Sequence, residues 1–385
     1  MLPCNTHIYI DTKITGTIYQ LANYFHAGVF DQNTLVLIKK YKAIEKKFSA
    51  IPERLNIPYQ WIERNSQIDA LDNGIIFYPF NAQSNCRVVA NRKMIHVFIT
   101  HGESNKKSSI KPITRIYDFI IVAGEAGIDR YLHNGIFSVY DRTHGRLIKL
   151  GNTFSGGLNG HFTLPKDGGV LFYAPTWEGG LESENYSSLT NIDNFSKLKR
   201  LANRLEIKCI TIQTHPNLGH RSQSHMNNLW IGIFRLLQAG LEVRLVQPYH
   251  SMKVFTKLFN FFEKFRILPR GDYLKIAMAI TDVSAMEIQC LVADIPVCVL
   301  IKNEPHPDFF SKRQEKHYSI FGVRENEEIP SVISHEVDTK SNIDVKKYYI
   351  SYEHDFLAKM PLSSRIEWLS NIARENLKNA RFLSY

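Results

Sequence analysis

Short apolar runs, closed off by polar turn-forming stretches, recur along the whole chain. Between them lie longer segments whose apolar residues fall three and four apart. The first pattern predicts buried strands and the second amphipathic helices, and their alternation predicts mostly parallel sheets with crossover helices. In the first half, strands are expected at 7–10, 34–38, 74–78, 95–100 and 119–123, with an amphipathic run over 18–25. The second half repeats the alternation, with strands at 170–174, 209–213, 242–247, 277–281 and 297–300. Between the halves, Gly156-Gly157, Gly160 and Pro165-Lys166-Asp167-Gly168-Gly169 make 151–169 a turn-rich linker. Strand character fades beyond 346, and 363–382 reads as helix. The predicted organisation is a domain over 1–165, a second over 166–345 and a helical segment over 346–385. Two doubly wound α/β domains facing across a cleft are the expected architecture.

At 385 residues the chain exceeds one ordinary core, which agrees with two domains. No secretory signal opens it and no run of about 18 apolar residues interrupts it, so a cytoplasmic location is expected. The five cysteines are scattered and none forms a Cys-x-x-Cys pair, which predicts reduced thiols with neither zinc nor disulfides. A net charge of +10 calls for an anionic partner. Phosphorylated substrates and anionic lipid suit it better than nucleic acid, since there is no finger spacing, dense basic tract or RNA-binding aromatic signature. The stretch 252–265 sets Phe255, Leu258, Phe259, Phe262 and Phe265 beside Lys253, Lys257, Lys264 and Arg266. A core-facing helix is the first reading of it, and a helix lying on an anionic membrane the second.

Candidate chemistry gathers where strands run into polar loops, the place where open α/β sheets bind ligands. His101 follows Val97-Phe98-Ile99-Thr100 and precedes Gly102, Glu103, Ser104, Lys106 and Lys107. A histidine there is placed to take a proton from an attacking hydroxyl, and the lysines to neutralise phosphate. His215 ends a second such run, with Pro216 disfavouring helix at its position. It reads as a ligand of donor phosphate, as the acid that assists a leaving group, or as a loop cap. Tyr173-Ala174-Pro175-Thr176-Trp177-Glu178 is a third strand exit, and Trp177 is equally a packing residue. Ile280-Thr281-Asp282-Val283-Ser284-Ala285 is the fourth: a strand, a hydroxyl-rich turn and a helix start whose amides attract anions. The stretch His306 to Asp308 with Glu304 matches no metal spacing, and Asp129 with Arg130 reads as a helical surface.

Taken in order, Thr100-His101-Gly102, Ala174-Pro175-Thr176-Trp177, Thr214-His215-Pro216 and Thr281-Asp282-Val283-Ser284 resemble the landmarks of the CDP-glycerol glycerophosphotransferases of teichoic-acid and capsule synthesis. The resemblance covers roughly 95–300. It implies a GT-B fold of two Rossmann-like domains, with the donor nucleotide on the C-terminal one. His101 and His215 match the family's two important histidines, and residues 281–285 match its Thr-Asp-Tyr-Ser-Ser turn. Val283 replaces the Tyr, Ala285 the second Ser, and Gln289 stands where the family often has Asp. Glu287 is reminiscent of the ribose-holding Glu of sugar-nucleotide glycosyltransferases with the same fold.

The leading expectation is a transferase that moves glycerol phosphate, or a similar polyol phosphate, from a CDP-activated donor to a hydroxyl acceptor, releasing CMP. His101 would be the base. His215, Thr176, Thr281, Asp282, Ser284, Ala285 and Glu287 would hold the donor, and Ser104, Lys106 and Lys107 would meet phosphate or acceptor. Neither cofactor nor protein-bound metal is expected. The expected partners are the nucleotide-activated donor, a lipid-linked or oligosaccharide acceptor, and the anionic inner face of the membrane. A GT-B glycosyltransferase using a nucleotide sugar is the first alternative. A non-catalytic membrane-associated assembly protein is the second.

Overall fold

A computed structural model describes residues 5–13, 16–42, 45–100, 102–153, 162–246, 262–269, 272–302, 310–330 and 339–382. The chain divides into two units: residues 1–103, 110–158 and 348–385 form the first, and residues 104–109 and 159–347 the second. Each is built on a parallel sheet, and two Rossmann-like units in one chain are the ingredients of the expected GT-B fold. Residues 346–385, expected to stand apart as a helical segment, are divided between the units, with 348–385 counted in the first.

The first sheet contains β1 (Thr6–Ile10), β2 (Leu35–Lys39), β3 (Tyr59–Ile62), β4 (Ile75–Tyr78), β5 (Ile95–Phe98), β6 (Phe119–Val122) and β7 (Leu147–Lys149). Their order across the sheet is β3-β2-β1-β4-β5-β6-β7. Strands β4, β5 and β6 are buried at every position, as expected of strands covered by helices on both faces. Leu357, Leu362, Ile366, Leu369 and Ala373, from near the end of the chain, lie in the same apolar cluster as Ile8, Val36 and Ile121.

The second sheet contains β8 (Phe162–Thr163), β9 (Val170–Ala174), β10 (Cys209–Gln213), β11 (Glu242–Val246), β12 (Phe265–Leu268), β13 (Leu274–Asp282), β14 (Val297–Ile301) and β15 (Gly322–Arg324). The order is β12-β11-β10-β9-β13-β14-β15, with the short β8 beside β13. The chain therefore winds outward from β9 to β12 and then crosses to the other side of β9. The helices Asn194–Arg204 and Gln223–Gln238 cover one face. Phe195, Leu198 and Leu201 of the first pack with Leu229, Ile233 and Leu236 of the second in one apolar cluster, each worth about 1.5–3 kcal/mol of burial. Gly232 permits the close approach, since a Cβ there would lie 2.3 Å from the Phe195 ring.

Arg130, expected on a surface, is in fact only 2% exposed. It ion-pairs with Glu103 at 2.6 Å, and Glu103 also accepts the Ala123 amide at 2.6 Å. A helix stripe of mixed character concealed this, because the partner that makes the burial tolerable lies 27 residues upstream. Among the described residues, no helix is long and apolar enough to cross a membrane. Most of the Phe-rich segment, 252–261, lies outside the described residues, as do His306 to Asp308.

Candidate donor site in the second unit

Strands β9 and β13 are neighbours, with Thr281 opposite Ala174, and they mark the point where the winding of the second sheet reverses. Ligands of doubly wound sheets bind beyond the carboxyl ends of the strands at such a point. Pro175, Thr176 and Trp177 leave β9 there. Asp282 closes β13, and Ser284 caps the helix Ala285–Val292 by accepting the Met286 amide on its Oγ at 3.3 Å.

Asp282 organises this end of the sheet. Its Oδ2 accepts the backbone N–H of Thr176 at 2.7 Å and that of Ser188 at 3.0 Å. Its Oδ1 is buried with no hydrogen-bond partner. Burial drives the carboxyl up to about 6, against the bonds from Ser188 and Thr176 and the nearby Lys106 charge. Thr281 is completely buried and its Oγ1 also lacks a partner.

Residues 104–109 count with the second unit, and two of them enter this site. Lys106 Nζ donates to Thr176 Oγ1 at 2.5 Å. Burial pulls its ammonium down to about 8, while the carboxylates of Asp282, Glu287 and Glu184 hold the charge on. The residue as a whole is half-buried, and the bond to Thr176 fixes its amine. Asn105 is fully buried: its Nδ2 donates to Glu287 Oε1 at 2.7 Å and to the Tyr318 hydroxyl at 2.9 Å. Gln314 Nε2 donates to Asn105 Oδ1 at 2.9 Å, and the Tyr318 hydroxyl donates to Glu287 at 3.0 Å.

His215 stands at the end of β10. Its ring stacks on Trp177, centroids 5.7 Å apart and planes 16° from parallel. Its Nδ1 accepts the Asn217 amide at 3.1 Å, so the proton of the neutral ring sits on Nε2. A neutral ring in that tautomer carries its N–H at Nε2. Glu178 fixes the loop that follows, accepting the amides of Gly219, Arg221 and Ser222 at 3.1, 2.6 and 2.9 Å. Burial opposes its ionisation, but the backbone donors outweigh that and leave its carboxyl below the usual range.

Of the residues expected to form the site, Lys106, Thr176 and Asp282 therefore meet directly, with Ser284 and Ala285 at the adjoining helix start. Glu287 is buried and engaged by Asn105 and Tyr318. Lys107 is exposed, its backbone amide bonded to the Tyr186 hydroxyl, and Ser104 bonds to Ser109. His101 lies outside the described residues. Its neighbours Thr100 and Gly102 both take positive φ, 50° and 151°, and for a β-branched threonine that is a strained conformation. Asn105, Gln314 and Tyr318 were not foreseen, and the one sequence signal near them is the capping box of Ser311 and Gln314. Among the described residues, no group of three or more His, Cys, Asp or Glu is placed to hold a metal.

No family model matches the chain, and no curated protein matches it. Among solved structures, it is similar to the UDP-GlcNAc 2-epimerase from Neisseria meningitidis bound to UDP-GlcNAc, with 12% identity, a TM-score of 0.48, and 97% and 100% of the two chains covered. It is also similar to Acinetobacter baumannii MurG, at 9% identity and a TM-score of 0.43 over 96% and 95%. A third is the lipopolysaccharide outer core galactosyltransferase WaaB, at 12% identity and a TM-score of 0.40 over 99% and 100%. These likenesses run the length of both chains, and at such identities they concern the course of the chain, not its chemistry.

Proposed function

We propose that the protein is a transferase that takes a group from a nucleoside-diphosphate-activated donor bound by the second unit. The observation that carries this is the Lys106 ammonium at the β9/β13 switch point, beside the start of a serine-capped helix. Cation and helix start together suit a diphosphate on which charge grows as it leaves.

A nucleotide sugar is the donor put first. The acceptor oxygen attacks the anomeric carbon, the bond from that carbon to the diphosphate oxygen breaks, and the nucleoside diphosphate departs with the electron pair. This reading asks the second unit for charge stabilisation, which Lys106 and the Nε2–H donor of His215 are of the right chemistry to supply. The second reading, transfer of glycerol phosphate from CDP-glycerol, is favoured by the four ordered landmarks. There the acceptor oxygen attacks the distal phosphorus, the P–O–P bridge breaks and CMP departs. It asks in addition for His101 as base. Under both readings the acceptor is a lipid-linked or oligosaccharide hydroxyl. The protein would work in the cytoplasm, on the inner face of the membrane, drawn there by its net charge of +10.

Incubation with UDP- and GDP-sugars and with CDP-glycerol, each with a synthetic acceptor, followed by mass spectrometry, tests this. Release of a nucleoside diphosphate with a glycosylated product supports the first reading, and release of CMP with a glycerol-phosphate product the second. Absence of any nucleotide release or nucleotide-dependent thermal shift would leave the non-catalytic alternative standing.

A further inference from the structure

Both polar atoms of the Asn105 side-chain amide are engaged inside the protein. Both N–H groups and the oxygen are engaged, by Glu287, Tyr318 and Gln314. Asn105, Glu287 and Gln314 are completely buried and Tyr318 is nearly so. Polar groups are tolerated at such depth only when each finds a partner, and a fully satisfied network is rigid. The partners come from two helices, Ala285–Val292 and Lys312–Phe321. The next residue in the chain is Lys106, which reaches Thr176 at the end of β9.

We infer that Asn105 is a positioning residue: seated on Glu287, Tyr318 and Gln314, it holds the Lys106 ammonium at the β9/β13 switch point, and Glu287 serves this latch instead of a donor ribose. The assignment deepens the donor-site reading and rests on it for the purpose of Lys106. Glu287 has both carboxylate oxygens bonded to the Tyr318 hydroxyl, at 3.0 and 3.2 Å, and Oε1 bonded to Asn105 as well. The carboxylate is also completely buried, so a ribose would have to open this network to reach it. The groups that face the ammonium are the carboxylates of Asp282, Glu287 and Glu184 and the Thr176 hydroxyl. Freed from the latch, Lys106 would leave that enclosure and behave as an ordinary solvated lysine.

The test is the pH dependence of acetylation of Lys106 by a water-soluble ester, read by peptide mass spectrometry on the full chain. Wild type should show a midpoint near 8. Asn105→Ala should move it upward by at least one pH unit, toward the ordinary lysine value of about 10.4. Gln314→Ala and Tyr318→Phe, which each remove one of the bonds to Asn105, should move it the same way by less, and they keep the test open should Asn105→Ala not fold. An unchanged midpoint in the folded variants would overturn the latch. In calorimetry with CDP and 2′-deoxy-CDP, wild type should bind the two within about threefold. A tenfold or greater preference for CDP that Glu287→Gln abolishes would return Glu287 to the ribose and overturn the second half of the inference. If wild type binds neither CDP nor UDP while the labelling midpoint still responds to Asn105→Ala, the donor reading fails and the latch stands.

Discussion

Asp282 Oδ2 accepts the backbone N–H of Thr176 at 2.7 Å, tying the end of β13 to the turn that leaves β9. The same oxygen holds the Ser188 amide, so one carboxylate fixes two loops at the switch point. Its stability contribution has a definite sign. Burial raises the folded-state value to about 6, above an unfolded value of about 3.9. The folded state therefore holds the proton more tightly, and the contribution, complete below about pH 4, is lost as pH rises through 6. Asp282→Asn keeps both acceptor contacts without a charge. Thermal unfolding of the variant should lack the decline that wild type shows between pH 4 and 6, and parallel curves would refute the assignment.

Lys106 should govern how nucleotide affinity depends on pH. Its ammonium is lost near pH 8, so binding of CDP or UDP should weaken above that, by up to about tenfold per unit. Lys106→Arg stays charged throughout and should flatten the profile. Lys106→Met should weaken binding at pH 7 by roughly ten- to a hundredfold, the worth of a hydrogen bond to a charged group. Calorimetry across the pH series is the measurement. A wild-type profile that stays flat to pH 9.5 would remove Lys106 from the donor site.

Thr281 and Ser284, two positions of one turn, should behave differently. The Thr281 hydroxyl is buried without a partner, so Thr281→Val should be neutral or stabilising, by about 1 kcal/mol, and leave CDP and UDP affinity unchanged. Ser284 caps a helix, so Ser284→Ala should cost about 1 kcal/mol. Should Thr281→Val lose tenfold in affinity instead, the hydroxyl meets phosphate after all.

The buried pair of Glu103 and Arg130 is the clearest stability determinant in the first unit. Glu103→Ala strands the guanidinium and releases the Ala123 amide, at a cost of about 3–5 kcal/mol. Hydrogen exchange by mass spectrometry should show 119–133 losing protection while 209–246 keeps it. Equal protection of the first segment in variant and wild type would mean that the pair is dispensable.

The sheets were legible where strands were buried on both faces. Val170–Ala174 and Cys209–Gln213 are expected and observed over the same residues, because both are short and carry the apolar and β-branched residues of buried strands. The edges were not. Tyr59–Ile62 exposes Gln60, Phe265–Leu268 exposes Arg266, and Gly322–Arg324 is three residues long, so none carries a buried-strand pattern. The switch-point turn with Thr176, Asp282 and Ser284 was readable from strand ends and cap types. Asn105 with Gln314 and Tyr318 was not, since their contacts span 209 and 213 residues and polar groups on a helix read as surface.

The division of the chain has a consequence for its synthesis. All of the second unit has been made once residue 347 leaves the ribosome, whereas the first unit still lacks Leu357, Leu362, Ile366 and Leu369 of its core. Domains made first usually fold first, but here the N-terminal one must wait until residues 357–373 have been made. Until then the apolar cluster around Ile8, Val36 and Ile121 lacks those side chains. A premature stop near residue 350 would thus yield a chain whose second half is complete and whose first half is the aggregating part.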